Sequence, residues 1–391
     1  MSHLAFSPFL RLYIGVTGAA ALSLSAQTAP APLTVSAPRV IVRGATTDMD
    51  LRWQPLAAIS ASSRVALSDG MSYVGVIGAD GRVQRVGRNG AGPGEIQLAS
   101  AIGWIGDTLW VIDGRLRRTT YFVAGAARRT IPFVGGRRGA QLLDMPVAVT
   151  PRGALLPSME DGQASAMYRA RRWSLFVASP DGAQVRDSLF DLVDPSGPLT
   201  ISRGGGTMVM RQPLSYRTLV GWSGDGSWIA RADRGSTSET PVGASAPRLS
   251  LRDARGRVRY DVPLPFTPRA LPAPDVAQLV DSAVATLNKN PRIPPTTRED
   301  YRRALFVPAR VPAVSQLLVR GDGSVLLKPW PGANGQVDYL LFDINGTVRH
   351  SIRLPQGVRM LAADSTQIIA TVENSDGDVD IVAFDLLQRQ R

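Results

Sequence analysis

Short runs of β-branched and aromatic residues, each closed by a two-residue turn signal, recur from residue 57 almost to the end of the chain. Clear cases are Arg82-Val83-Gln84-Arg85-Val86, Thr108 to Asp113, Ser174 to Val177, Val337 to Phe342 and Asp380 to Phe384. Alternating runs of this length, bounded by Asp-Gly, Asn-Gly or Arg-Gly, read as β-strands joined by tight turns. Strands so short are not stable singly, so the chain must build its core by stacking small sheets.

The turn signals come in pairs, one early and one late in each unit. Five units carry both: Asp69-Gly70 with Asp80-Gly81, Gly106-Asp107 with Gly125-Ala126, Arg152-Gly153 with Asp181-Gly182, Asp225-Gly226 with Arg255-Gly256, and Asp322-Gly323 with Asn345-Gly346. A sixth unit opens at Asp364-Ser365, and its third strand nearly exhausts the chain. The segment Pro38 to Arg43 is apolar at alternate positions and belongs to no unit of its own. It is the natural outer strand for the sixth, closing a ring and removing exposed sheet edges. Repetition at tens of residues with four strands per unit predicts an all-β, six-bladed β-propeller over residues 38–391. The stretch from Gly153 to Asp225 is long enough to hold a degenerate extra repeat, which would make seven blades.

One region breaks the strand pattern. Between Pro268 and Arg310, Val276, Leu279, Val280, Ala283, Val284 and Leu287 share one helical face. Asp275 opens this helix and Lys289 follows it, each with the sign the helix dipole favours. A capping-box pattern of Thr296 and Glu299 then starts a second short helix through Leu305. Residues 268–310 are therefore expected as a helical insertion between the fourth and fifth blades, packed on the ring's side or lying over its channel.

The N-terminus speaks to compartment. Arg11 precedes the uncharged run Leu12 to Leu24, which ends in small residues before Gln27, the pattern of a secretory signal peptide over 1–26. The run falls short of the ~20 residues a membrane-spanning helix needs, so an uncleaved anchor is the second reading. Pro30 and Pro32 make 27–37 a stiff linker. Export to the periplasm or beyond follows, and nucleic acid is a poor partner there.

Composition removes several chemistries. Among 391 residues there is no cysteine, which excludes disulfides, zinc-thiolate sites and lipid attachment at a cysteine. The two histidines are His3, inside the leader, and His350, leaving no set for a histidine-rich metal site. The net charge is +12, and of 44 basic residues only Lys289 and Lys328 are lysines. The Arg115, Arg117, Arg118 cluster, and Arg171 with its neighbours, offer planar forks for an anionic polymer, although an arginine-rich surface equally serves solubility.

The segment Gly87-Arg88-Asn89-Gly90-Ala91-Gly92-Pro93-Gly94-Glu95, followed by Asp107 to Asp113, resembles the NHL-type six-bladed propellers exported by many bacteria. In that family such a glycine-proline turn joins one blade to the next. The stretch from Gly321 to Leu327, with Phe342 to Gly346 and Arg353-Leu354-Pro355, is similar as well. The resemblance covers most of residues 57–388 and is weakest from 155 to 265. It implies a fold and a habit of binding through loops at one face, and no general activity.

Candidate chemistry is sparse. Gly90, Gly92 and Gly94 look like a phosphate loop, but a strand follows where a helix should open, so Gly92, Pro93, Gly94 and Glu95 are expected to form an interblade turn with Glu95 bonded to its backbone amides. Asn374, Asp376, Asp378 and Asp380 present the oxygen ligands a divalent cation such as calcium prefers, although Asp376-Gly377 is explained by a hairpin alone. Trp104, Trp110, Trp222, Trp228 and Trp330 are candidates to stack a sugar or cap a pocket, although large aromatics at alternating positions also fill sheet cores; Trp330, set between prolines, is the best exposed of them. No cofactor is expected beyond that cation. The reading is a non-catalytic ligand- or protein-binding module whose partner is an envelope protein, a carbohydrate or an anionic polymer. Its rival is a metal-dependent hydrolase resembling the gluconolactonases, with Asp113, Asp322, Asp343 and Glu373 at the channel mouth.

Overall fold

The computed structural model describes residues 30–387, apart from 52–54, 79–80, 136, 139–140, 144, 160–171, 194–197, 204–205, 213, 236–245, 267–269, 271, 289–295, 309, 331–337 and 356. The leader expected over 1–26 and Arg171 lie outside the described residues.

The strands hydrogen-bond to their neighbours in sequence, as short runs joined by tight turns require. One four-stranded antiparallel sheet comprises Leu56–Ile59, Val65–Ser68, Val74–Ile77 and Val83–Val86. A second comprises Ala99–Ile105, Thr108–Asp113, Arg118–Val123 and Ala126–Pro132. The third is built on Ala148–Thr150, Gly153–Met159, Arg172–Ala178 and Val185–Val193, and the fourth on Leu219–Trp222, Trp228–Asp233, Arg248–Asp253 and Val258–Pro263. The described turn glycines sit between consecutive strands and take a positive φ that a side chain resists, as at Gly226 (φ 67°) between Leu219–Trp222 and Trp228–Asp233.

Nine further strands form one sheet. Val314–Val319, Val325–Pro329, Asp338–Phe342 and Val348–Arg353 run consecutively, as do Arg359–Ala363, Gln367–Glu373 and Val379–Leu387. Ala31–Val35 joins the two groups, parallel to Val348–Arg353 and antiparallel to Val379–Leu387. Arg39–Val42 pairs antiparallel with Val379–Leu387, the partnership expected for the unassigned N-terminal segment. The segment read as a stiff linker over 27–37 thus contains a strand. Pro32 is accommodated because residues 31–33 bond to a neighbour on one side only.

The cores lie between sheets. Ala66, Val86, Ile96, Trp104 and Phe122 pack the first sheet on the second, while Ala230, Leu251, Val314, Leu327 and Phe342 pack the fourth on the strands that follow it. Leu67, Ile369 and Ile381 join the last strands to the first sheet. The opening strands of the sheets also meet one another: Leu56–Ile59 touches both Ala99–Ile105 and Arg359–Ala363, and Val314–Val319 touches both Leu219–Trp222 and Arg359–Ala363. Sheets packed face to face, with their first strands turned inward, make a propeller arrangement.

Two helices, α1 (Ala273–Asn288) and α2 (Arg298–Ala304), occupy the expected insertion. Val280, Leu287, Tyr301 and Leu305 are buried against Leu199 and Ile201 of a separate hairpin, Pro198–Arg203 with Gly206–Arg211. The cap of α2 differs from the expected one. Thr297, not Thr296, accepts the Asp300 amide at 3.1 Å, while Thr296 is buried and bonded through its backbone to the Asn288 side chain. Thr296 is withdrawn by the Asn288 amide, which clamps both its N–H and its C=O.

Candidate functional site

A cavity of about 320 Å³ opens where Leu56–Ile59, Leu219–Trp222, Val314–Val319 and Arg359–Ala363 end. Its apolar wall comes from Ala57, Ala58, Ile102, Leu318, Ala362 and half-buried Trp222; its polar groups include Ser60, Ser63, Asp225, Arg320, Asp322 and Asp364. The Gly224 turn reaches across to the opposite sheets. Its carbonyl accepts the Trp104 N–H at 2.7 Å, and a Cβ on Gly224 would stand 2.8 Å from the Ile59 carbonyl oxygen.

Three carboxylates arrive at this cavity by one local device, an aspartate two residues before a hydroxyl side chain. Asp225 accepts Ser227 N at 3.1 Å on Oδ1 and Ser227 Oγ at 2.7 Å on Oδ2, and Ser223 Oγ also donates to Oδ1. Asp322 Oδ1 accepts the amide and hydroxyl of Ser324, and its Oδ2 accepts Arg320 Nη2 at 2.9 Å. Asp364 Oδ1 accepts Thr366 N and Oγ1 at 2.7 Å and Gln367 N at 2.8 Å, and its Oδ2 accepts Ser63 Oγ at 3.0 Å. Such side-chain bonds to the following backbone are what place aspartate in turns. Burial pushes the Asp364 pKa up, but the donors from Thr366, Gln367 and Ser63 outweigh it and leave the group below its usual value.

Arg320 is the buried cation of the site, 6% exposed. Burial pulls its pKa down, and Asp322 and Asp364 pull it back up. Its Nε has no hydrogen-bond partner.

The candidate site residues singled out in the sequence lie elsewhere, except Asp322 and Trp222. Glu95 closes its turn as expected, accepting Gly92 N at 2.6 Å and Arg88 Nε at 2.7 Å. Gly90 has no room for a side chain, since a Cβ there would sit 2.1 Å from Glu95 Oε2. Arg118 donates to the carbonyls of Ala91, Gly92 and Glu95 at 3.0, 2.7 and 2.8 Å, clamping that same turn. Arg115 is exposed, and Arg117 lies 5.4 Å from the Phe133 ring centroid. Trp330 is half-buried, with its N–H on the Ala313 carbonyl, away from the cavity.

The Asp376, Asp378, Asp380 set is divided among structural tasks. Asn374 Oδ1 accepts the amides of Asp376 and Asp378 in a hairpin turn. Asp380 is buried and accepts Gly44 N at 2.8 Å. Among the described residues no group of three or more acidic or histidine side chains is placed to hold a metal ion. The carboxylates suggested for a hydrolase are dispersed too: Asp113 caps Gln97, Arg115 and Leu116 amides, and Asp343 caps Asn345 and Thr347 amides.

No family model matches the chain, and no curated protein is similar to it in sequence. Among solved structures, a protein from Bacteroides fragilis described as exported aligns at TM-score 0.46 and 12% identity over 91% of this chain and 96% of that one. The β-propeller domain of the Trilobed protease from Pyrococcus furiosus aligns at 0.33 and 10%, over 93% and 96%, and BamB from Moraxella catarrhalis at 0.29 and 12%, over 85% and 84%. None of these three reaches a TM-score of 0.5. No helix among the described residues is long and apolar enough to cross a membrane.

Proposed function

We propose that the chain is an exported, NHL-like, six-bladed propeller that acts as a non-catalytic binding module, taking its ligand in the cavity beside Arg320. The six-blade count treats the two strand groups of the nine-stranded sheet as separate blades, with Arg39–Val42 as the outer strand of the last. Export rests on the leader-like run from Leu12 to Leu24.

The observation that carries the binding reading is the cavity itself, a concave, half-apolar space with a few convergent polar groups. This is the usual form of a small-molecule site. Each carboxylate at its rim is already held by backbone and hydroxyl donors of its own turn, an arrangement that fixes orientation rather than supplies a base.

The test against the hydrolase alternative is a melting and turnover experiment. The chain is stripped with chelator, then supplied in turn with calcium, magnesium, manganese and zinc, and assayed on lactone and ester substrates. The binding reading expects no saturable metal-dependent rise in Tm and no metal-dependent turnover; either one overturns it.

A further inference from the structure

The donor and acceptor inventory of the cavity restricts the ligand class, and this step rests on the binding reading above. A guanidinium carries five N–H donors and no acceptor. The Arg320 side chain, almost wholly buried, makes one hydrogen bond, from Nη2 to Asp322 Oδ2. Its Nε is sealed away without a partner, and the Nη N–H groups that Asp322 does not take are the donors left for acceptor atoms in the cavity Arg320 lines.

The carboxylates ask for the opposite. At Asp225, Asp322 and Asp364, Oδ1 takes two or three donors from the turn, while each Oδ2 receives one, from Ser227, Arg320 and Ser63 respectively. A carboxylate offers about four lone-pair directions. Each Oδ2 therefore keeps an acceptor site, on three turns from three different strand groups.

Charge then decides among ligands that satisfy both demands. A simple anion would meet Arg320 but also three carboxylates in a confined space. A simple cation would meet the carboxylates but leave Arg320's donors unmet and add a like charge beside it. A neutral polyol does neither: every hydroxyl both donates and accepts, so it gives to Oδ2 atoms and takes from the guanidinium without bringing net charge out of water. The wall suits its ring, with Trp222 and small alanines beside the polar rim. At about 320 Å³ the space lies at the lower end of the range for small-molecule sites.

We propose that this cavity is a saccharide site, holding one or two sugar units between Arg320 and the paired turns of Asp225 and Asp364. Calorimetric titration of the full chain with glucose, galactose, N-acetylglucosamine, maltose and trehalose, beside sodium acetate and sodium phosphate, tests it. At least one sugar is expected to bind saturably. Arg320→Met is expected to weaken that sugar at least tenfold. Asp225→Asn keeps the turn's Oδ1 acceptor and loses only the Oδ2 acceptor that Ser227 Oγ uses, so it is expected to fold with at most a small drop in Tm and to weaken the sugar at least threefold, which keeps the test decisive if Arg320→Met fails to fold.

The proposal is overturned if no sugar in the panel binds, if the salts bind in their place, or if Asp225→Asn retains full affinity. Loss of the sugar proposal leaves the binding reading standing where some other compound stabilises the wild-type chain and loses that effect when Arg320 is replaced.

Discussion

The carboxylate of Asp364 accepts a hydrogen bond at 3.0 Å from the hydroxyl of Ser63, which lies 301 positions earlier in the chain. The bond crosses from the last strand group to the first sheet, beside the cavity and at the place where the two ends of the repeat array meet. A second bond of the same kind, Gly44 N to Asp380 Oδ1 at 2.8 Å, joins the N-terminal segment to the final strand.

Because Asp364 is held below its usual pKa in the folded chain, its contribution to stability has a definite sign with pH. That contribution is complete above the unfolded carboxylate value of ~3.9 and is lost as pH falls toward the lower folded value. Urea unfolding of wild type and Asp364→Asn should therefore show a wild-type advantage at pH 6 that shrinks steadily below about pH 4. Parallel curves across that range would contradict the assignment.

Removing residues 31–43 takes away the strand that bridges two groups and the strand paired with Val379–Leu387. It also strips buried Val42 and the partly buried Leu33, Val35 and Ile41 from their clusters. With each well-buried aliphatic side chain worth ~1.5–3 kcal/mol, the loss should exceed about 4 kcal/mol. Tm should fall by more than about 5 °C; an unchanged midpoint would show that the N-terminal strands do not close the array.

Arginines on the Arg115 to Arg118 stretch should differ sharply. Arg118→Met removes a charged donor to three carbonyls of the glycine-proline turn, which should cost about 2–3 kcal/mol. Arg115→Met, at an exposed position, should stay within about 0.5 kcal/mol of wild type. Equal effects in chemical denaturation would mean that Arg118 is another solvated surface charge.

Gly224→Ala places a Cβ 2.8 Å from the Ile59 carbonyl oxygen, a backbone atom that cannot swing aside. We expect about 1–3 kcal/mol of destabilisation and, because the cavity edge moves, weaker ligand binding. Gly321→Ala, where a Cβ meets nothing within 4 Å, is the control and should be nearly silent. A silent Gly224→Ala would mean that this turn is not wedged between the sheets.

Much of the architecture was legible from the chain because its signals are local. Asp-Gly and Asn-Gly pairs report hairpins wherever they fall, and the apolar alternation of Arg39 to Arg43 announced a strand in search of a partner. The helix over 275–287 was legible from its single apolar face. The site was not, because Asp225, Arg320, Asp322 and Asp364 look like ordinary turn residues until four strand ends are brought to one point. One signal does lie in the sequence: Asp225-Gly226-Ser227, Asp322-Gly323-Ser324 and Asp364-Ser365-Thr366 repeat a carboxylate followed two residues on by a hydroxyl. The role of Arg118 in the fold was hidden for the same reason. An arginine-rich run does not announce that the Ala91 to Glu95 turn folds back onto one of its guanidinium groups.

The most direct test of the binding account is a thermal-shift screen of a few hundred small metabolites, sugars, organic acids and amino acids, run side by side on wild type and Arg320→Met. The account predicts that at least one compound raises the wild-type Tm saturably and that the rise is absent in the variant. A wild type that responds to nothing, or a wild type and variant that respond alike to every compound, would contradict it.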